Sequence, residues 1–500
     1  MDRTRVLGLD VGTSAVKAIL VDGNGGVTAT AASPLTMSVP RPAWAEQDPE
    51  QWWHAALESI ALVLLAEPDA DVIAVGISGQ MHSSVFLDRA GAVIRPALLW
   101  CDGRTTEECT EITAAVGGES RLRDLVCNPA LEGFTLPKVL WIRRHEPAAY
   151  ARLATVLLPK DYIRYRLTGV LATEASDASA TLMFDTARRR WSDEILAAVG
   201  VPRSVVPIVG GSAEVLGRVT SGAAAVSGLP VGTPVVGGGA DNACGAAGVG
   251  VVAPGEVVSS WGTSGTMLAA TSVPLIDPRL RAHTFCHVVP DLWYTMGVVL
   301  SAGGAFAWYR DQFARGLSDR ATRDAALDAE AESVPAGAGG VVFFPYLQGE
   351  RTPHRDAAAR GAILGLTLAH SRAHVTRAVL EGVCFALRES LDILRELGAS
   401  PTEVLLTGGG ARSAFVRRLQ SEVFGLPIAT VNRDEGPAYG AALLAAVGAG
   451  QFADVQTAAR RALVRTTESV PDSAACGAYD EPYRRFRRTY RAARPDLAST

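Results

Sequence analysis

The sequence lacks three features that would each assign it to a class of protein. It has no CxxC pair and its seven cysteines are scattered, so neither a disulfide framework nor a zinc site is predicted. It has no basic excess, because the formal net charge is -5, which disfavours binding to nucleic acid or an anionic membrane. A signal peptide is not expected, because Asp10 and Gly12 interrupt the first apolar run, and no window offers the roughly 18 uncharged apolar residues of a membrane span. A cytoplasmic protein that handles small molecules is therefore expected.

The length and the residue pattern favour two or more domains of α/β structure. A chain of 500 residues exceeds what one hydrophobic core usually supports. Runs of β-branched residues alternate with helical patterns, which is typical of α/β layers. Residues 6–11 and 16–21 are predicted strands, and helices are predicted over about 49–65, over 372–397 and through a charged tail after about 452.

A small polar turn, Gly-Thr-Ser, occurs twice in the chain. Both copies lie between predicted strands, and they consist of Gly12, Thr13, Ser14, Gly262, Thr263 and Ser264. Such a turn exposes backbone N–H groups and hydroxyls, which makes an anion-binding concavity. An ordinary β-turn is the alternative for either copy alone, because short motifs match by chance. The pair could hold one polyphosphate from opposite sides.

Two aspartates are the candidate catalytic residues. Asp10 precedes the first turn, where a carboxylate can hold Mg2+ through water, and Lys17 adds a positive charge on the next strand. Asp241 follows a strand and three glycines in "GGGADN", which let a substrate approach closely. Its structural alternative is a helix N-cap. In phosphoryl transfer one carboxylate accepts the proton of the attacking hydroxyl, and Asp241 is the candidate for this base.

Other short motifs lie at the ends of predicted strands. His82 follows the predicted strand 71–78 in "GQMHSS", where sites are commonly built, although a single histidine there is usually structural. The run "LLTGGGARS" leads from a strand through three glycines into a helix, which is the layout of a ligand site. Metal ligation by the histidines of "HTFCH" or "HSRAH" is not favoured, because such spacings arise by chance.

Nine stretches of the sequence together resemble the FGGY carbohydrate kinases. They are "GLDVGTSAVKAILVD", "GISGQMHSSVFLD", "LLWCDGRT", "LLPKDYIRYRLTG", "GGGADNACGAAGVG", "WGTSGTM", "FFPYLQGERTPHRD", "LLTGGGARS" and "EGPAYGAALLAA". The resemblance runs from about Leu7 to Val447. Within the family, "SGQMH", "WCDGRT" and "LPKDYIRYRLTG" are together characteristic of the xylulokinase branch.

The resemblance implies two domains with the ribonuclease-H-like core of actin and hexokinase, and a nucleotide and sugar cleft between them. The N-terminal domain, residues 1–248, is expected to bind the sugar and to carry the first phosphate hairpin. The C-terminal domain, residues 249–500, is expected to carry the second hairpin and the adenosine site.

The resemblance also implies roles for individual residues. Asp241 matches the family's catalytic base, and Asp10 matches an acidic residue that Mg-ATP requires. The sugar is expected to contact Met81, His82, Asp241 and Asn242. The nucleotide is expected to contact both Gly-Thr-Ser turns together with Lys17, Trp308, Gly408, Gly409, Gly410 and Ser413.

The implied reaction is transfer of the γ-phosphoryl group of Mg-ATP to the C5 hydroxyl of D-xylulose, in a chain that is expected to form a homodimer. A kinase of the same fold for ribulose, gluconate, glycerol or a deoxy-ketose remains an alternative, as does an ATPase switch of the actin and Hsp70 type. Ser83, Cys101 and Trp261 depart from the commonest family pattern: the first two leave the exact sugar open, whereas Trp261 is expected only to fill its strand. Asp102 and Arg104 either wall the sugar pocket, which is slightly favoured, or pair with each other.

Overall fold

The computed structural model describes residues 3–314 and 320–497. None of the helices in these ranges combines the length and the apolar character needed to cross a membrane. The strands are β1 (Thr4–Val11), β2 (Ala15–Asp22), β3 (Val27–Pro34), β4 (Glu46–Gln47), β5 (Asp71–Gly79), β6 (Val85–Leu87), β7 (Ala97–Leu98), β8 (Thr155–Leu157), β9 (Ala172–Glu174), β10 (Phe184–Asp185), β11 (Arg190–Trp191), β12 (Ile208–Gly210), β13 (Val215–Arg218), β14 (Pro234–Val236), β15 (Gly239–Ala240), β16 (Val257–Trp261), β17 (Gly265–Thr271), β18 (His283–Cys286), β19 (Trp293–Val299), β20 (Val342–Phe344), β21 (Ala362–Leu364), β22 (Val404–Gly408), β23 (Ile428–Val431) and β24 (Arg465–Ser469).

The helices alternate with these strands along much of the chain. They are α1 (Pro49–Ala66), α2 (Thr106–Ala115), α3 (Glu119–Val126), α4 (Thr135–His145), α5 (Pro147–Tyr150), α6 (Pro159–Thr168), α7 (Ala175–Ala178), α8 (Asp193–Val199), α9 (Ser221–Ser227), α10 (Asp241–Gly248), α11 (Gly303–Phe313), α12 (Arg320–Glu332), α13 (Arg372–Glu396), α14 (Ala414–Phe424), α15 (Pro437–Gly448), α16 (Val455–Ala462), α17 (Ser473–Ala478) and α18 (Asp480–Leu497).

The first sheet brings two aspartates to one edge. Its strand order is β13, β14, β5, β1, β2 and β3, with β15 paired to the end of β5. β1 and β2 form an antiparallel hairpin in which Asp10 lies opposite Lys17. β5 runs parallel to β1 and places Ser78 beside Asp10. β15 pairs with Ser78 and Gly79, and α10 follows it directly, beginning at Asp241. Asp10 and Asp241 therefore both lie at the carboxyl edge of this sheet.

The second sheet repeats the arrangement of a hairpin and a parallel strand. Its order is β18, β19, β17, β16, β22, β23 and β24. β16 and β17 form the antiparallel hairpin, with Trp261 opposite Gly265. β22 runs parallel to β16 and places Gly408 beside Trp261. The second Gly-Thr-Ser turn and the three glycines after β22 therefore share one edge, and the predicted α/β class is confirmed.

α15 belongs to the second half of the sequence but packs on the first sheet. A Cβ atom added to Gly8 of β1 would lie 2.2 Å from the Ala438 carbonyl oxygen, and one on Gly76 of β5 would lie 1.9 Å from that of Ala441. These approaches require glycine, so the close packing predicted for this helix is confirmed. The predicted domain boundary between residues 248 and 249 stays a prediction, because α15 follows it in the sequence but packs on the sheet that precedes it.

The structure departs from the sequence prediction in the charged tail. Helix was expected throughout after about residue 452, but β24 lies between α16 and α17 and pairs with β23. Four of its five residues are exposed, so no alternation of apolar and polar side chains announces this edge strand.

Candidate functional site

The first Gly-Thr-Ser turn connects β1 and β2 and is held by distant side chains. The Thr13 hydroxyl donates to Gln80 Oε1 at 3.2 Å and accepts from the Trp100 indole at 3.0 Å. Gln80 also donates to the Gly12 carbonyl at 3.2 Å. The Thr13 and Ser14 amides and the Ser14 hydroxyl donate to no other described residue. These groups are therefore available to an anion.

The second Gly-Thr-Ser turn connects β16 and β17 and packs on the start of α11. The Thr263 carbonyl accepts from the Ala302 and Gly304 amides at 2.9 Å each. The Gly262 carbonyl accepts from the Gly303 amide at 2.8 Å, a contact so close that a Cβ atom on Gly303 would lie 2.5 Å from that oxygen. Because α11 engages these carbonyl oxygens, they are withdrawn from an anion bound at the turn.

Asp10 carries a carboxylate oxygen without a protein partner. Its Oδ1 is sealed from solvent and accepts no hydrogen bond from any described residue. Burial raises the pKa of Asp10 to about 6, against the opposing effect of the Lys17 charge. An orphaned buried carboxylate oxygen fits a hard cation held directly or through water.

Asp241 is the first residue of α10, and its electrostatics suit a general base. The helix N-cap is Ala240, so the alternative role of Asp241 as the cap residue is wrong by one position. Its Oδ1 accepts from the Asn242 amide at 2.7 Å and from Asn242 Nδ2 at 3.0 Å. Burial and then the Asp10 charge raise the pKa of Asp241 to about 7, although the Asn242 hydrogen bonds oppose them. A carboxylate that titrates near neutral pH is matched to general base catalysis.

Met81 lies next to Asp241 and Asn242 although it comes from a different strand end. It is buried, and its Sδ accepts from Asn242 Nδ2 at 3.3 Å and from the Tyr294 hydroxyl at 3.6 Å. The structure therefore brings together three of the residues predicted to contact the sugar.

His82 is held in a defined tautomer. Its Nδ1 lies 2.6 Å from the Ala180 carbonyl oxygen, which can only accept, so Nδ1 carries the proton. Burial lowers the pKa of His82 to about 3, with a smaller effect from the Lys138 and Arg351 charges, against the Ala180 hydrogen bond. The ring packs at 4.4 Å from Phe134. A neutral His82 presents Nε2 as a hydrogen-bond acceptor.

Lys17, predicted to add charge at the first turn, is engaged by the second half of the chain. Its Nζ lies 2.5 Å from Glu435 Oε2 and 3.2 Å from the Glu435 carbonyl oxygen. Both side chains are about one-third exposed, so this ion pair contributes little to stability. A phosphate contact by Lys17 stays a prediction, and it would have to compete with Glu435.

The triglycine turn, Gly408 to Gly410, lies over the Trp261 ring. Gly408 has a φ of 81° and donates its amide to Asp434 Oδ2 at 3.1 Å. A Cβ atom on Gly410 would lie 2.6 Å from Trp261 Cγ, and one on Gly303 would lie 3.2 Å from Trp261 Cδ1. Trp261 was expected only to fill its strand, but it also supports both glycine segments at this edge.

Ser413 and Trp308 were both expected at the nucleotide. The Ser413 hydroxyl caps α14 by accepting from the Val416 amide at 3.0 Å, and it donates to Asp328 Oδ2 at 2.6 Å. The Trp308 side chain is half-exposed and meets the edge of Phe313 at 5.5 Å, so it is not a core residue. Their contact with a nucleotide stays a prediction.

Asp102 and Arg104 pair with each other. Arg104 Nε donates to Asp102 Oδ1 at 2.9 Å and Arg104 NH2 donates to Oδ2 at 2.7 Å, a bidentate pair that is almost fully buried. Arg104 NH1 lies 2.8 Å from Glu46 Oε1, and the guanidinium stacks 3.7 Å over Trp44. Of the two roles considered, the geometry supports the structural link rather than the pocket wall.

Ser83 and Cys101, the two departures from the family pattern that leave the sugar open, differ in their surroundings. Ser83 is buried, donates to Gln80 Oε1 at 3.1 Å and accepts from the Trp100 amide at 3.0 Å. Cys101 is exposed, and its Sγ lies 4.0 Å from Met37 Sδ, its one side-chain contact of this kind among the described residues. Ser83 therefore joins two loops of the site, whereas Cys101 is free to meet solvent or a ligand.

Sequence reasoning missed three residues that shape the site. Gln80 and Trp100 tie the first turn to the strand end that carries Met81, and both stand inside motifs that carried the family resemblance. Tyr294 reaches Met81 from β19, and no motif in the sequence points to it.

Comparison with known proteins agrees with this geometry. Residues 5–248 match the N-terminal domain of the FGGY family of carbohydrate kinases, and residues 257–449 match its C-terminal domain. The xylulose kinase of Bacillus subtilis (strain 168) is 41% identical over 458 residues, which is 91% of this chain and 90% of that protein. The xylulose kinase of Escherichia coli (strain K12) is 40% identical over 98% of this chain and 100% of that protein.

Solved structures show the same similarity in three dimensions. The crystal structure of a xyloylose kinase from Brucella ovis superposes with a TM-score of 0.90 at 38% identity, and the match covers 98% of this chain and 99% of that one. Both halves of the chain and its fold thus match one family. The chain belongs to the FGGY family of carbohydrate kinases.

Proposed function

We propose that this chain transfers the γ-phosphoryl group of ATP to the C5 hydroxyl of D-xylulose, with Asp241 as the general base. The chain is an ATP-dependent carbohydrate kinase by family. The identity of the sugar is supported by the E. coli relative, which is 40% identical over 98% of this chain. The mechanism is supported by one observation, which is the pair of carboxylates with raised pKa values at the edge that carries the first turn.

In the proposed reaction, Asp241 accepts the proton of the C5 hydroxyl as the hydroxyl oxygen forms its bond to the γ-phosphorus. The bond from that phosphorus to the bridging oxygen breaks, and ADP leaves with the electron pair. The free amides of Thr13 and Ser14, together with the backbone N–H groups and hydroxyls of the second Gly-Thr-Ser turn, stabilise the charge on the oxygens of the transferred phosphoryl group. The adenosine lies towards the triglycine turn, with Gly409 and Ser413 near it.

Mg2+ is the cation proposed at Asp10. The proposal is supported by the orphaned Oδ1 of Asp10 and by the burial that raises the pKa values of both Asp10 and Asp241, since a cation would stabilise their charged forms. A bound Mg2+ would neutralise the phosphate oxygens during transfer. Asp10 would hold it through water, because Mg2+ keeps most of its hydration shell.

The sugar is proposed to lie against Met81, His82, Asp241 and Asn242. Met81 gives an apolar wall, and Asn242 holds the base through two hydrogen bonds. His82 Nε2 would accept a hydrogen bond from a ketose hydroxyl, since its Nδ1 proton is directed to Ala180.

We also propose a cytoplasmic location and a homodimer. All seven cysteines are free thiols, which is usual in a reducing compartment. Light scattering at micromolar concentration tests the dimer, and cell fractionation tests the location.

The test of the sugar is ADP release with Mg-ATP and a panel of D-xylulose, D-ribulose, L-ribulose, 1-deoxy-D-xylulose, gluconate and glycerol. D-xylulose is expected to give the highest kcat/KM. A higher value for another sugar would assign the chain to a different substrate and would direct attention to Ser83 and Cys101. ATP hydrolysis that no sugar of the panel stimulates would contradict the kinase proposal and would favour the alternative, an ATPase switch of the actin and Hsp70 type.

A further inference from the structure

The motif "LPKDYIRYRLTG" forms a buried charged cluster behind the proposed base. Lys160 is fully buried, and its Nζ lies 2.6 Å from Asp161 Oδ1, 3.5 Å from Glu174 Oε1 and 3.7 Å from Asp177 Oδ2. Arg164 lies 3.0 Å from Asp161 Oδ1 in the same cluster. Asp161 Oδ1 is engaged by both cations and holds Lys160 and Arg164 in place, whereas both buried Asp177 carboxylate oxygens accept no hydrogen bond from any described residue.

Glu174 joins this cluster to the short helix α7. Its Oε1 accepts from the Ser176 hydroxyl at 2.7 Å and from the Asp177 amide at 2.9 Å. Its Oε2 accepts from the Ser176 amide at 2.8 Å and from the Ser212 hydroxyl at 2.7 Å. Four donors fix both carboxylate oxygens, so Glu174 fixes the orientation of the Ser176 hydroxyl in turn.

Ser176, which Glu174 orients, and Arg164 of the cluster both hold the segment that leads to Asp241. The Ser176 Oγ accepts from the Ala240 amide at 3.0 Å, one residue before the base. Arg164 NH1 donates to the Gly237 carbonyl at 3.0 Å. Within this segment a Cβ atom on Gly238 would lie 1.8 Å from the Ile77 carbonyl oxygen, so the backbone rests directly on β5.

We propose that Ser176 is a positioning residue for the phosphoryl transfer, because its hydroxyl fixes the Ala240 amide and thereby the place of the Asp241 carboxylate. The proposal rests on the proposed function, in which Asp241 is the base. A base must lie within hydrogen-bond reach of the attacking hydroxyl, and small displacements lower the rate much more than they lower binding. Ser176 touches neither substrate in this account.

The chain offers a matched control three residues later. Ser179 is as fully buried as Ser176, donates to the Ser176 carbonyl at 2.7 Å and accepts from the Cys286 amide at 3.0 Å. Ser176→Ala and Ser179→Ala thus each remove one donated and one accepted hydrogen bond from a buried hydroxyl. The amide released by Ser179→Ala belongs to β18 rather than to the segment before the base.

The first experiment compares steady-state kinetics of the two variants with D-xylulose and Mg-ATP. Ser176→Ala is expected to lower kcat at least about tenfold with the KM for ATP within about twofold of wild type, whereas Ser179→Ala keeps kcat within about twofold. Equal kcat values for the two variants would overturn the proposal, as would a change in Ser176→Ala confined to KM.

A second measurement does not depend on the sugar. Hydrogen exchange of the Ala240 amide is expected to be at least about tenfold faster in Ser176→Ala than in wild type and unchanged in Ser179→Ala. Unchanged exchange at Ala240 in Ser176→Ala would overturn the proposal. A wild type that phosphorylates no ketose would contradict the proposed function instead, and the exchange result would still decide whether Ser176 holds this segment.

Discussion

Replacing Asp241 with asparagine is expected to stabilise the folded chain. Burial and the Asp10 charge raise the pKa of Asp241 from 3.8 to about 7. Between these two values the folded state keeps a proton that the unfolded state has released, so the wild type loses stability as the pH rises through this window. The shift of about three pKa units corresponds to at most about 4 kcal/mol at pH 8. Because Asp241 is partly exposed, screening by solvent reduces the expected gain to about 2 kcal/mol.

The assay is urea denaturation of wild type and Asp241→Asn, monitored by circular dichroism in the absence of Mg2+ and nucleotide. The gain in the free energy of unfolding is expected to be largest at pH 8 and to be less than half as large at pH 5, which lies near the lower end of the titration window. Asp71→Asn, an exposed residue at the start of β5, is the control for the change of side chain. A variant that is no more stable than wild type at pH 8 would refute the claim that this carboxylate is held in an unfavourable site.

Three further predictions concern the base, the nucleotide side and the buried ion pair. The kcat/KM for D-xylulose is expected to rise about tenfold per pH unit below pH 7 and to level off above it, because the pKa of the base is about 7 and only the carboxylate accepts a proton. Initial rates from pH 5 to 9 measure this, and a flat profile between pH 5 and 7 would contradict it. Trp261→Leu is expected to raise the KM for ATP about tenfold with little change in the KM for D-xylulose, because the indole ring supports Gly410 and Gly303. Equal changes in both KM values would show that the ring has no specific link to the nucleotide. Arg104→Met is expected to lower the free energy of unfolding by about 3 to 5 kcal/mol, because it leaves Asp102 without its buried counter-charge, while Glu46 keeps its ion pair with Arg95. Arg121→Met, on the half-exposed Arg121, is expected to change it by less than about 1 kcal/mol, and similar losses in both variants would contradict the structural role of the Asp102–Arg104 pair.

Local features of the fold could be predicted from the sequence because short-range chemistry determines them. The strands around each Gly-Thr-Ser turn and the long helix α13 follow from the spacing of apolar residues and from turn chemistry. The strand β24 could not be predicted, because an exposed edge strand has no buried face and therefore no alternation in its residues.

Contacts between distant parts of the chain could not be read from the sequence. Lys17 and Glu435 are 418 positions apart, and no pattern in either segment predicts that the two side chains form an ion pair. The Trp100 indole reaches Thr13 over 87 positions for the same reason. The small residues of α15 did predict close packing, but they did not say that the neighbour would be the first sheet.

The most direct test of the account is the kinetics of Asp241→Asn with D-xylulose and Mg-ATP, with binding of D-xylulose measured by calorimetry on the same preparation. The account predicts that kcat falls about 10³-fold while the Kd for D-xylulose changes by less than about fivefold, because the amide cannot accept the proton of the C5 hydroxyl. A variant that binds the sugar and keeps more than about a tenth of the wild-type kcat would contradict the assignment of Asp241 as the base.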